Sequence, residues 1–392
     1  MRLALLVLLS TISPLSAQTS AGKAFPAIPA PAAGFDPAAL ASFDADIAGG
    51  KYGNVDSLLI LRHGKIAFDK TYPHDYAAIY GEQAKVPSAS NPHDPGGPYN
   101  YFNPWWHPYY RAGGELHTMQ SVTKSVTSAV IGVAVSRHQF PSLDTPVLKF
   151  FDESTVANVD DRKRHLTIRN LITMTVGMKW QDDLPYTDPN NSTAIMEASG
   201  DWVKFFIDQP MAEEPGTRFY YNDGAPETLA YIFRKATGQD IEEYAAKNLF
   251  APIGIEHWFW KRTPSGLADT EGGLYLERHD LAKLMMLFQH DGRWNGKQVL
   301  DAAWVKESLA PSVTVNAGTG VKYGYLWWLY PYGKDDPRMT FAGSGYGGQL
   351  PIVIPDYDIV IVVTAWNIAN GKGLPHRVAV DRVLAALKDP KR

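Results

Sequence analysis

The chain has no cysteine in its 392 residues. That absence removes disulfide scaffolds, thiolate zinc sites, iron–sulfur clusters and thiol nucleophiles together. A dominant charge sign is also missing. Lys and Arg number 37 against 41 Asp and Glu, a formal net charge of −4, so there is no electrostatic footprint for nucleic acid. The 11 histidines form no H-x-H or H-x-x-x-H pair, and no metal site is expected. G-x-S-x-G, the usual mark of a Ser-His-Asp hydrolase, does not occur. The apolar run Leu3–Leu9 follows Arg2, fades at Pro14, and is followed by Ala17 or Ala21 as a small residue for cleavage. It is shorter than the roughly 20 residues of a spanning helix, so residues 1–21 read as an export signal. A periplasmic or secreted protein with no transmembrane segment in the mature chain is expected, and a lipoprotein anchor would need the absent cysteine.

What is present supports a sizeable core: 45% of residues are hydrophobic. Residues 22–49 read as a Pro-rich lead-in and a short helix, and residues 50–392 as one catalytic-sized unit. Ser57–Leu61, the turn Arg62–Lys65 and Ile66–Phe68 form a hairpin signature. Residues 73–116 lack periodicity, and Tyr99–Tyr110 holds seven aromatics in twelve residues. Such a loop so close to residue 121 is expected either to line a pocket or to staple itself to the core. Ser121–Arg137 reads as a buried helix. Helices are expected over Leu166–Met174, Glu227–Leu249 and 277–290. Strands are expected over Tyr323–Tyr330, Met339–Ala342, Gln349–Ile354 and Asp358–Thr364, with a closing helix over Leu374–Leu387. Strands at both ends with helices between predict an α+β fold in which the two chain ends share an antiparallel sheet and the middle forms a helical lobe.

Two S-x-x-K matches occur. Ser20–Lys23 falls at the cleavage region and is set aside. Ser121-Val122-Thr123-Lys124 opens the apolar helix. Residues i and i+3 lie one turn apart on one face, so Lys124 can reach the Ser121 hydroxyl. A serine needs a base to become a nucleophile, and a lysine serves if burial or a neighbouring cation lowers its pKa. Alone, the motif is weak, and a serine at a helix start is more often a cap.

The segment Gln120–Ser128 resembles the nucleophile segment of the β-lactamase-related serine hydrolases, which include class C β-lactamases, D-alanyl-D-alanine peptidases, family VIII esterases and 6-aminohexanoate-dimer hydrolases. Further similarities follow in order: the Ser57–Phe68 hairpin, Leu166–Trp180, Pro215–Asp223, Thr270–Leu274 and Gly345–Gln349. The resemblance implies a β-lactamase/transpeptidase-like fold and a catalytic tyrosine followed by x-Asn. Alignment from Phe219 gives Tyr221, with Asp223 in the Asn place. A literal Y-x-N gives Tyr220 with Asn222. The ungapped Tyr221 is preferred and Tyr220 stays open as the alternative. The family's K-T-G strand has no counterpart. Ungapped placement sets Thr340-Phe341-Ala342 there, and Arg338 is a weak substitute for the lysine. An oxyanion hole from backbone N–H groups of Ser121 and the Gly343-Ser344-Gly345 segment remains available, with Asp223 as a further substrate-binding candidate.

His117 reads as a satisfied loop histidine, Glu271 as structural, and Asp182, Asp183 and Tyr186 as rim residues or a solvated loop. The resemblance implies a serine hydrolase with a Ser121, Lys124 and Tyr221 site, no cofactor, and a small ester or amide as substrate. A β-lactamase or D-alanyl-D-alanine carboxypeptidase is the alternative reading, and a non-catalytic binding module on the same fold is a third. The sequence leaves the oligomeric state open.

Overall fold

The computed structural model describes residues 25–86, 102, 116–186, 188–333, 336–369 and 371–389. The segment read as an export signal, Ser20–Lys23, and all of Tyr99–Tyr110 except Phe102 lie outside the described residues. Eight strands form the main sheet: β1 (Val55–Arg62), β2 (Lys65–Thr71), β3 (Val313–Asn316), β4 (Val321–Tyr323), β5 (Trp328–Gly333), β6 (Asp336–Ala342), β7 (Leu350–Ile354) and β8 (Ile359–Ala365). Their order is β2-β1-β8-β7-β6-β5-β4-β3, antiparallel throughout. The two chain ends therefore meet at the β1–β8 pair, as expected. Between β1 and β2, His63 and Gly64 have φ of 51° and 66°, the two left-handed positions that suit a tight hairpin turn.

Both faces of the central strands β1, β8 and β7 are buried, which explains the continuous apolar runs in β1 and β8. Successive side chains alternate faces. Leu58, Ile60, Ile359, Ile361 and Val363 join Leu40 and Phe43 of helix α1 (Pro37–Ala48) in one core. Leu59, Leu61, Val360 and Val362 join the other, which holds Val126 and Val130 of helix α2 (Val122–Ser136). Helix α3 (Gly224–Thr237) adds Leu229 and Phe233 to that second core, and α4 (Arg278–Gln289) adds Leu284 and Phe288. The closing helix α5 (His376–Ala385) packs Val380 and Val383 beside α1. The lead-in is fixed to this body: Ile28 N–H donates to Ile66 O at 2.9 Å, and Phe35 bridges to Leu387. Among the described residues no helix is long and apolar enough to cross a membrane.

Several elements differ from expectation. The strand over Tyr323–Tyr330 is two strands, because the chain turns at Gly324–Trp327 with Leu326 at φ 62°. The helix over Glu227–Leu249 stops at Gly238, whose φ of 72° ends α3. Met174 at φ 55° ends a shorter helix, Ile168–Ile172. The 73–116 stretch contains a short helix, Tyr76–Tyr80.

Helix α2 carries Gly132 against the indole of Trp304, and a Cβ there would overlap that ring. Helix propensity alone favours alanine by about 1 kcal/mol. Overpacking a rigid, buried ring costs about 1–3 kcal/mol, so the clash outweighs the propensity. Gly132→Ala is therefore expected to lower stability by about 1–2 kcal/mol in urea unfolding. A gain in stability would show that Trp304 yields without cost.

Candidate active site

The short strand His117–Thr118 pairs with Leu274–Leu276, and Met119 N–H donates to Leu274 O at 2.8 Å. Gln120 then adopts a φ of 47° and swings the chain into α2. A left-handed conformation at a non-glycine residue costs roughly 1–3 kcal/mol and persists where the surroundings enforce it. Ser121 follows at the helix N-cap, but its side chain makes no capping bond. The hydroxyl instead accepts from Lys124 Nζ at 2.9 Å.

Lys124 is buried, with its side chain 1% exposed. Its amine reaches two further oxygens, Glu271 O at 2.6 Å and Asp223 Oδ1 at 2.6 Å. The Glu271 carboxyl lies farther off, at 3.7 Å. Burial opposes the charge, but Asp223, Tyr221 and Glu271 outweigh it and hold the lysine pKa well above its ordinary value. Burial alone therefore does not neutralise Lys124: ion-paired with Asp223, it rests as an ammonium.

Tyr221 and Tyr220 separate cleanly. The Tyr221 ring lies 5.1 Å from Lys124 Nζ, and its hydroxyl interacts with both Ser121 and Lys124. Burial raises its pKa, with Lys124 pulling the other way. Tyr220 points outward, donating to Asp183 Oδ2 at 2.9 Å under the Arg218 guanidinium. Of the two, Tyr221 lies at the lysine and Tyr220 does not. Asn222, the Asn of the literal Y-x-N, is buried and accepts from Ala225 N–H at 3.0 Å as it starts α3.

Asp223, expected as a substrate-binding candidate, is buried and turned to the lysine. One oxygen meets Lys124. The other accepts from Thr193 Oγ1 at 2.8 Å and from the Tyr186 hydroxyl at 3.5 Å. Thr193 also reaches Asp182 Oδ1 at 3.3 Å. Burial first, then Asp223, raises the Asp182 carboxyl to about 8. Burial, Asp223 and Asp269 likewise push the Glu271 carboxyl well above the usual range.

Beyond Ala342 the chain runs past the Ser121 turn at close range. A Cβ on Gly343 would sit 3.1 Å from Val122 Cγ1, and one on Gly345 would strike Met119 O. The N–H groups of Gly343 and Gly345 are used on Pro351 O and Gln349 O at 3.1 and 2.8 Å. This corrects both as oxyanion donors. Alternate residues of a strand aim their N–H groups at opposite edges, which turns the Ser344 N–H away from β7. Ser344 N–H and Ser121 N–H make no hydrogen bond among the described residues. Arg338 is folded back onto Asp336 at 2.6 Å and onto the Tyr332 ring, so it does not replace the missing lysine. His117 is held between Asp56 Oδ2 and Thr118 O, each at 3.0 Å, away from Ser121.

Sequence reasoning missed three members. Glu271, read as structural, gives its carbonyl to Lys124. Buried Glu227 fixes that loop by accepting from Thr270 N–H at 2.6 Å and Glu271 N–H at 2.9 Å. Thr193 orients Asp223. The Thr270–Leu274 motif was a signal for the first; a lone Glu in α3 and a Thr in the short helix Ser192–Glu197 carry none. Among the described residues no cluster of three or more His, Asp or Glu is arranged to hold a metal.

The family model described as Beta-lactamase matches residues 56–388. The chain is 23% identical over 281 residues to the 6-aminohexanoate-dimer hydrolase of Paenarthrobacter ureafaciens, spanning 66% of this chain and 69% of that protein. It resembles the octameric penicillin-binding protein homologue from Pyrococcus abyssi with a TM-score of 0.61, at 18% identity, covering 89% of this chain and 76% of that one. A family VIII carboxylesterase matches with a TM-score of 0.61 at 14% identity, covering 89% and 95%.

The raised Asp182 carboxyl makes stability depend on pH. A carboxyl that titrates near 8 when folded and near 4 when unfolded costs stability as pH rises between those values. Asp182→Asn removes that cost. Its gain in Tm over wild type is expected to be larger at about pH 8.5 than at about pH 5 in paired thermal melts. An equal gain at both would mean the carboxyl is not raised.

Proposed function

Since the chain belongs to the beta-lactamase family, with residues 56–388 in the match, we propose that it is a serine hydrolase acting through an acyl-enzyme on a small ester or amide. The observation that carries this is the 2.9 Å contact between Lys124 Nζ and Ser121 Oγ at the start of a helix, with the Tyr221 hydroxyl on the same pair. Ser121 Oγ attacks the acyl carbon. Its proton passes to the Lys124–Tyr221 pair, which later protonates the departing alcohol or amine. The tetrahedral oxyanion is met by the Ser121 and Ser344 N–H groups, aided by the N-terminal end of α2. Water then repeats the sequence on the acyl-enzyme. No step calls for a metal or an organic cofactor.

Two features support a neutral substrate with an apolar part. Aromatic rings crowd the site: Trp328 stacks on Tyr221 at 5.9 Å, and Tyr186 meets Tyr346 edge-on at 5.0 Å. The charges close to Ser121 and Lys124 are carboxyls, and the strand lysine that would hold a substrate carboxylate is replaced. Penicillins and D-alanyl-D-alanine peptides, which carry that carboxylate, are therefore disfavoured.

Ser121→Ala is expected to abolish ester turnover and fluorophosphonate labelling; undiminished labelling would end the assignment of Ser121. Among p-nitrophenyl butyrate, nitrocefin and a D-Ala-D-Ala peptide, the ester is expected to be turned over fastest. Preferential turnover of nitrocefin or the peptide would establish the alternative reading. Saturable binding without any acyl-enzyme mass shift would point to a non-catalytic module.

A further inference from the structure

Lys124 meets three oxygens within 3 Å, and only one of them can take a proton from it. Ser121 Oγ, at 2.9 Å, is the group that must lose a proton. Glu271 O, at 2.6 Å, is a peptide carbonyl and is not a base. Asp223 Oδ1, at 2.6 Å, is a carboxylate. Resting as an ammonium, Lys124 has no lone pair for the Ser121 proton. Its side chain and that of Asp223 are each 1% exposed, so direct exchange with solvent is hindered. In such a site a charged pair loses much of its hydration, which narrows the gap between it and the neutral amine–carboxylic acid form.

We propose that Asp223 is a positioning residue that acts through Lys124, receiving one ammonium proton so that the lysine nitrogen can deprotonate Ser121. This rests on the serine hydrolase reading and goes beyond it. In the family pattern the place of Asp223 is held by Asn, which can orient a lysine but cannot take its proton. The second carboxylate oxygen is fixed by Thr193 Oγ1 at 2.8 Å and Tyr186 at 3.5 Å, which leaves Oδ1 aimed at the amine.

The step balances. One Nζ proton moves to Asp223 Oδ1, giving a neutral amine and a neutral carboxylic acid. As the Ser121 Oγ–carbon bond forms, the serine proton passes to Nζ and the carbonyl π pair moves to the oxyanion. When the C=O re-forms, the bond to the leaving group breaks and takes its electron pair with it. The leaving group gains a proton from Tyr221, which is refilled from Nζ. Asp223 then returns its proton to Nζ, restoring the starting pair. No oxidant or co-reactant is needed.

The test is the pH dependence of kcat/KM for p-nitrophenyl butyrate and of the rate of fluorophosphonate labelling. The titratable groups facing the Lys124–Asp223 pair are Tyr221, Tyr186, Asp182, Glu271, Asp269 and Tyr323. With Asp223 present the proton moves within the pair, and the acid limb belongs to uptake of a second proton by that pair. In Asp223→Asn the lysine must lose its proton to solvent. The limb then belongs to the lysine alone and is expected to lie at higher pH than the wild-type limb, and the rate at neutral pH to fall on the order of 100-fold. Glu271→Gln, which removes the carboxyl at 3.7 Å, is expected to leave the limb on the acid side. A lower rate with an unmoved limb in Asp223→Asn would reduce Asp223 to a structural role and overturn the proposal. So would a limb that moves in Glu271→Gln instead. If Asp223→Asn does not fold, Thr193→Val decides: loss of the Thr193 donor makes the carboxylate more basic and is expected to shift the wild-type limb upward, and an unmoved limb overturns the proposal. Absence of Ser121-dependent labelling in the wild type would refute the hydrolase reading itself, a separate result.

Discussion

The burial of one ammonium group governs this site. Removing a lysine from water costs several kcal/mol unless its surroundings restore both charge and hydrogen bonds. For Lys124 that restoration requires three separate pieces of chain to arrive together: the first turn of α2, the loop ending at Asp223, and the loop at Glu271. Each is held by something else. The pairing of His117–Thr118 with Leu274–Leu276 sets the turn, Asn222 starts α3 behind Asp223, and buried Glu227 grips the Thr270–Glu271 backbone. The two-layer core around the sheet is what makes these positions rigid enough for one cation to be tolerated.

One cation faces several carboxyls, and that imbalance orders the electrostatics. Lys124 touches Asp223 directly, while Glu271 and Asp182 stand farther off and are driven toward their neutral forms by burial and by Asp223. The cleft is therefore less negative than its composition implies. Its walls are aromatic: Tyr221, Trp328 and Tyr330 stack in sequence along the start of β5, at 5.9 and 6.3 Å. An apolar wall with few ionised groups suits a neutral acyl group better than a carboxylate.

Much of the fold was legible because its signals are local. Both-face burial produced the apolar runs of β1 and β8, and the hairpin turn announced itself through His63-Gly64. Element ends were read less well where a single backbone dihedral decided them, as at Met174 and Leu326, since neither residue type signals a left-handed turn. In the site, Ser121 and Lys124 were visible because they share one helical turn. Tyr221 was preferred over Tyr220 through the family resemblance, on ungapped spacing, and in the structure it is the Tyr221 ring that lies beside Lys124. The lysine's charge state was not legible because burial and ion pairing act in opposite directions, and the partner that decides between them lies 99 residues away in sequence. Thr193 and Glu227 left no trace because their roles exist only through contacts across the helical lobe.

The loss of the strand lysine illustrates why such a site can change substrate while keeping its chemistry. A side chain that holds a substrate carboxylate is a recognition device and can be replaced without touching the reacting atoms. An oxyanion donor made of backbone depends instead on how closely two pieces of chain approach. Here that approach is secured by glycines: any side chain on Gly345 would push the segment off the Met119 carbonyl, and one on Gly343 would press on Val122. With 343 tied to Pro351 of β7 and 345 to Gln349 just before it through their N–H groups, alternation leaves the N–H of residue 344 for the proposed oxyanion site whatever its side chain is. Substitutions along the aromatic wall can thus change what is bound, while the close approach that the proposed oxyanion site needs is preserved by residues that present no side chain at all.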